Sequence, residues 1–141
     1  MGYSIAKKLG MECVSQRTVQ NNDAVMFDID ETLFHNDGTP ISDMIELFHF
    51  CRQLGYRIII ITARPDFAIV HYHTRMQLIS YNLYPDEVYF VPAREKNDVK
   101  KQTGLHYVLS VGDLRTDLGL SDYFIKLPDS RDARVYSNIN I

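Results

Sequence analysis

The sequence predicts an α/β fold, a single domain on a mainly parallel five-stranded sheet flanked by helices. Three observations carry that expectation. Five short apolar runs recur along the chain, helix-length amphipathic segments separate them, and three of the runs end abruptly in carboxylates or a hydroxyl. Continuous apolar runs of this length suit strands buried on both faces, as crossover helices bury a parallel sheet. A chain of 141 residues has the length of one domain. Its composition, 45% hydrophobic and 23% charged, excludes disorder and coiled coil. A net charge of −3 argues against a protein held to nucleic acid by bulk positive charge.

The elements follow in order. Residues 1–22 read as an N-terminal extension, with a helix over 5–13 packed at one edge of the sheet. The first strand covers the run at 24–27. Thr39 and Pro40 then read as an N-cap and a first-turn proline. Ile41, Met44, Ile45, Phe48 and Cys51 recur at helical spacing, and Gly55 stops that helix. The second run, 57–61, contains four consecutive isoleucines. A second helix lies within 65–82 and carries His71, His73, Arg75 and Gln77 on its polar side. The third run is 88–91, and a short helix over 97–103 ends at Gly104. The fourth and fifth runs are 107–111 and 123–127. Residues 23–128 thus form the core, and 129–141 read as a tail with little regular structure. Cys13 and Cys51 are too few for a disulfide framework, and no apolar run approaches a membrane span. Without a signal-peptide pattern either, the expected location is cytoplasmic, with no membrane partner.

The chemistry lies at the strand ends. The first run leads into Asp28-Ile29-Asp30-Glu31-Thr32, the second into Thr62-Ala63-Arg64, and the fourth into Gly112-Asp113 with Asp117 beyond. In open α/β sheets, ligands bind outside the carboxyl ends of the strands, where strand order reverses. Carboxylates this close repel one another unless a cation or a shared proton separates them. Asp28, Asp30, Asp113 and Asp117 together form an oxygen-rich set that suits Mg²⁺.

These motifs resemble those of the haloacid dehalogenase superfamily of phosphohydrolases. The stretch at 24–34 is similar to its first motif, Thr62 to its second, a lysine near 96–101 to its third, and Gly112-Asp113 with Asp117 to its fourth. The ends of the fourth and fifth runs also resemble plant-type acid phosphatases. The resemblance implies a Rossmann-like fold and a Mg²⁺-dependent phosphatase working through an aspartyl-phosphate. It implies Asp28 as nucleophile and Asp30 as general acid and base, with the Asp30 backbone carbonyl on the metal. Asp28, Asp113 and Asp117 would complete the metal site, Asp117 through metal waters or by orienting the lysine. Thr62 and Ala63 would hold the phosphoryl oxygens, and Arg64 would contact the substrate or pair at a helix start. The spacing favours Lys96 over Lys100 as that lysine, since Lys96 stands just before the helix start with more chain between it and Asp113. The resemblance implies that it offsets the charge on Asp28 and the phosphate.

Thr62 lies 34 positions after Asp28, and Lys96 lies 34 positions after Thr62. One helix and one strand nearly fill each gap, so no cap domain is expected. Only a small flap at 33–40 remains, with Asn36-Asp37-Gly38 as its turn. An open site suits a phosphorylated small molecule. It also admits a macromolecule such as a nucleic-acid 3′-end or a phosphoprotein, since polynucleotide 3′-phosphatases share this design, or a second copy of the chain as cover. Two other readings compete: a phosphate-ligand binding protein without catalysis, and a phosphoacceptor receiver domain. A receiver would place its acceptor Asp after the third run, where Pro92-Ala93 stand instead. No glycine-rich nucleotide loop occurs.

Overall fold

The computed structural model describes residues 2–140. Its sheet has strands β1 (Asp23–Phe27), β2 (Arg57–Thr62), β3 (Glu87–Phe90), β4 (His106–Gly112), β5 (Tyr123–Lys126) and β6 (Tyr136–Ser137). Their order is β3-β2-β1-β4-β5-β6. The first five pair in parallel, and β6 pairs antiparallel to β5. The fold is therefore Rossmann-like with six strands rather than five. The tail was expected to lack regular structure, but Ser137 and Tyr136 pair with Ile125 and Lys126 to extend the sheet by one short edge strand.

The helices are α1 (Gly2–Ser15), α2 (Ser42–Leu54), α3 (Ala68–Ser80) and α4 (Lys96–Thr103). Alternation along the strands divides the core. Val25, Phe27, Ile58, Ile60 and Val111 face one side with Met44, Leu47, Phe48 and Cys51 of α2 and Leu78 of α3. Ala24, Met26, Ile59 and Ile61 face the other side with Val99 of α4. β1 and β2 are thus apolar on both faces, as parallel strands between helices must be. No helix among the described residues is long and apolar enough to cross a membrane.

Two expectations change in detail. α1 lies on a face beside α2, not at an edge: Gly10 approaches the Leu47 and Ile125 side chains so closely that a Cβ would sit 2.7 Å from Leu47. Thr39 does not cap α2. The N-cap is Ile41, without a side-chain bond. Asp37 takes the Thr39 side chain instead, accepting from its hydroxyl at 2.7 Å and its N–H at 2.9 Å. A short Asp side chain in a turn competes for nearby donors, and here it shapes the flap rather than the helix. Gly55 does end α2, in the left-handed conformation at φ 97°.

At the amino ends of the strands, a polar cluster ties β1 to β4. His106 Nδ1 is 2.8 Å from Asp23 Oδ1, its Nε2 pairs with Asp122, and Arg17 binds the other Asp23 oxygen. The Asp23 bond raises the His106 pKa, burial opposes it, and Asp122 adds to the rise. A raised folded-state pKa adds stability that is complete below the unfolded value near 6.5 and is lost as pH rises through the folded value. His106→Gln should therefore lower the melting temperature at pH 6 and do so much less at pH 9. A gap that stayed constant or widened with pH would contradict a charged His106.

Candidate active site

β1 and β4 are adjacent, and their successors diverge to opposite sides of the sheet, which makes their carboxyl ends the switch point. Asp28 follows β1 directly, and its N–H donates to Val111 O at 3.1 Å, extending the β1–β4 pairing by one residue. Asp113 follows β4. Asp117 comes one 3₁₀ turn later, at the end of Arg115–Asp117. The three carboxylates each offer an oxygen, and these atoms all lie within 4.8 Å of one another.

One ammonium faces them. Lys96 Nζ donates to Asp28 Oδ1 at 3.1 Å and to Asp117 Oδ1 at 2.6 Å, and Lys96 is 1% exposed. The other Asp117 oxygen accepts from Leu114 N–H at 3.1 Å. Both Asp117 oxygens are thereby occupied. Asp113 Oδ1 is buried and has no partner. Burial, reinforced by Asp117, pushes Asp28 well above the usual carboxylate range despite Lys96. Burial also raises Asp113 to about 6; a bond to Asp28 opposes the rise and the Asp117 charge adds to it. On Lys96, burial works to depress the pKa, but Asp28 and Asp117 outweigh it and the ammonium is stabilised. The cluster carries more acid than base, and an all-oxygen donor set with one orphaned carboxylate oxygen fits a hard divalent cation such as Mg²⁺.

The loop after Asp28 is tight. Ile29 O accepts from the N–H groups of Thr32, Leu33 and Phe34, and Glu31 adopts φ 54°. Asp30 lines the same cavity as Asp28 but is not one of the three clustered carboxylates. Arg64 grips it with Nη2 at 2.8 Å and Nε at 3.1 Å, while Arg64 Nη1 donates to Thr74 Oγ1 of α3 at 3.0 Å. Thr62 is fully buried and accepts from Arg64 N–H at 3.2 Å, which leaves its hydroxyl proton free to donate. Ala63 lines the cavity above Asp28.

Geometry separates the two lysines. Lys96 reaches Asp28, whereas Lys100 donates to Ser110 Oγ at 2.9 Å, Asp117 O at 2.8 Å and Gly119 O at 2.5 Å. Lys100 has no carboxylate partner, and burial lowers it to about 8. The remaining walls of the cavity, which measures about 480 Å³, come partly from residues that no sequence motif marks. Tyr3 of α1, Asn36 of the flap and Pro128–Ser130 beyond β5 all line it. Tyr3 also meets the His35 ring edge-on at 5.9 Å, joining α1 to the flap.

A parallel sheet that gathers carboxylates and a buried lysine at its switch point defines a class, the α/β proteins whose ligands sit at strand carboxyl ends. Residues 25–84 match the family described as haloacid dehalogenase-like hydrolase, a match that supports membership of that superfamily. No curated protein sequence matches the chain.

Gly112 explains the spacing of the last motif. Asp117 packs directly on it, so that any Cβ at 112 would collide with the Asp117 side chain. Gly112→Ala should cost about 1–3 kcal/mol, read as a lower urea midpoint with an unchanged slope. An unchanged midpoint would show that Asp117 is not seated on this glycine.

Proposed function

We propose that the protein is a Mg²⁺-dependent phosphatase that hydrolyses a phosphomonoester through an aspartyl-phosphate on Asp28. The observation that carries this reading is the buried Asp28–Lys96–Asp117 array beside the unpartnered oxygen of Asp113. An Asp aimed into a cavity, charge-balanced by a fixed ammonium, is an activated oxygen nucleophile.

In the first step an Asp28 carboxylate oxygen forms a bond to phosphorus as the ester P–O bond breaks. Asp30 gives a proton to the departing alcohol oxygen. In the second step Asp30 takes a proton from water, whose oxygen attacks the same phosphorus. The Asp28–phosphorus bond breaks, which releases phosphate and restores the carboxylate. Lys96 keeps Asp28 placed and offsets its charge. The Thr62 hydroxyl and the backbone N–H groups near Ala63 bind phosphoryl oxygens. Asp28 and Asp113 hold the cation, with Asp117 fixing Lys96 and the loop. When bound, Mg²⁺ offsets the charge of the phosphoryl group so that an anionic carboxylate can approach it. The cavity falls within the range of small-molecule sites, which favours a phosphorylated small molecule as substrate.

Asp28→Asn should abolish hydrolysis of 4-nitrophenyl phosphate in Mg²⁺, by at least about 10³-fold in kcat. Retained turnover would remove Asp28 as nucleophile. A second expectation concerns the cation itself. Added Mg²⁺ should raise the melting temperature of the wild type by mass action. Asp113→Asn should lose that response while melting higher than the wild type in EDTA, since one buried like charge is gone. An equal Mg²⁺ response in both proteins would place the cation elsewhere.

A further inference from the structure

A second cavity opens on the other side of Arg64. It measures about 290 Å³ and lies between the loops that follow β2 and β3. The two loops are held in register by Val91 N–H, which donates to Thr62 O at 3.0 Å. Ala63 lines both this slot and the catalytic cavity, so the two adjoin at that residue. Arg64 lines the slot while its guanidinium grips Asp30, which lines the catalytic cavity. Arg64 thus links the slot to Asp30, the group proposed to protonate the departing oxygen.

Its walls are apolar and already set. Pro65, Phe90, Val91 and Pro92 supply them. The His71 ring stacks on Phe90 at 3.9 Å and 18°, and Asp66 holds His71 Nε2 at 2.7 Å. The charged side chains of the lining are Arg64, held by Asp30 and Thr74, and Asp66, one of whose oxygens pairs with His71. With Arg64 already held and the other charged group an acid, the lining offers a second phosphate no free cation. An apolar recess with fixed walls selects by desolvation and shape.

We propose that this slot receives the leaving group, so that the favoured substrates are phosphomonoesters of flat or apolar alcohols. The inference rests on the phosphatase reading and names its substrate class. A leaving group turned the opposite way would meet Glu31, Asn36, Asp129 and Ser130, which suit a polyhydroxy or cationic alcohol instead.

The test compares kcat/KM for benzyl phosphate, methyl phosphate and glycerol phosphate, all with alkyl leaving oxygens. The wild type should favour benzyl over methyl phosphate by at least about tenfold, the scale that apolar pockets reach. Pro92→Asp and, on the opposite wall, Pro65→Asp should each cut that preference about tenfold or more while changing methyl phosphate turnover less than about threefold. Equal use of benzyl and methyl phosphate, or a preference for glycerol phosphate, overturns the slot and leaves the phosphatase reading standing. Turnover of none of the three fails the phosphatase reading. The slot is then judged by benzyl alcohol, which should shift the amide resonances of Ala63 and Val91 in the wild type and not in Pro92→Asp. Absence of such shifts overturns it.

Discussion

The Lys96 ammonium, buried between Asp28 and Asp117, is the constraint on which the site depends. A buried ammonium needs partners to replace water, carboxylates best of all, and buried carboxylates need the same in return. The surroundings are built to hold this array still. Gly112 has no side chain, so Asp117 can settle against β4. Leu114 N–H fixes the far oxygen of Asp117. Lys100, one turn further along α4, anchors the backbone carbonyls of Asp117 and Gly119 and so keeps the loop in place. With these bonds made, Asp113 is left with a buried oxygen that has no partner. The array is balanced at Lys96 and unbalanced at Asp113, and the unbalanced end is where a cation gains most.

The sheet carries this array because its topology separates two tasks. At the amino ends, Asp23, His106 and Asp122 close β1, β4 and the approach to β5 with paired charges. At the carboxyl ends the same neighbouring strands deliver Asp28 and Asp113 side by side. The apolar faces between the two ends, with Val25, Phe27, Ile58 and Ile60 toward α2 and Met26, Ile59 and Ile61 toward α4, keep the strands in fixed register.

What was legible in the sequence follows the same division. Both faces of β1 and β2 are apolar, so their runs stood out without any alternation to decode. Asp28 and Asp113 were legible as neighbours because parallel topology places successive strand ends on one edge. Other features depend on contacts that no local pattern announces. β6 is two residues long, and its pairing with Ile125 and Lys126 is decided by the course of the tail. Tyr3 and Ser130 reach the cavity from opposite ends of the chain. Thr39 had the form of a helix cap, but Asp37 was nearer to its donors. Spacing favoured Lys96 over Lys100 without separating them fully, because the two lie one turn apart on one helix. Only distance from the strand ends decides that the first meets a carboxylate and the second meets carbonyls.

The two ion pairs at the site differ in a way that bears on how it works. Lys96 and Asp117 are almost wholly buried, and separating them would leave a charge without water or partner, at a cost of several kcal/mol. The Arg64–Asp30 pair is bidentate, but the Asp30 side chain is 43% exposed, and solvent takes over much of what is lost when such a pair opens. While both Asp30 oxygens accept from Arg64, neither presents a proton to a neighbouring oxygen. This is the form that takes a proton, and giving one requires an arm of the fork to release. In the proposed mechanism, the arrangement fixes Lys96 and Asp117 and leaves Asp30, the acid and base of that proposal, the more easily released. Arg64 is itself held by Thr74 of α3, which anchors the guanidinium independently of its bonds to Asp30.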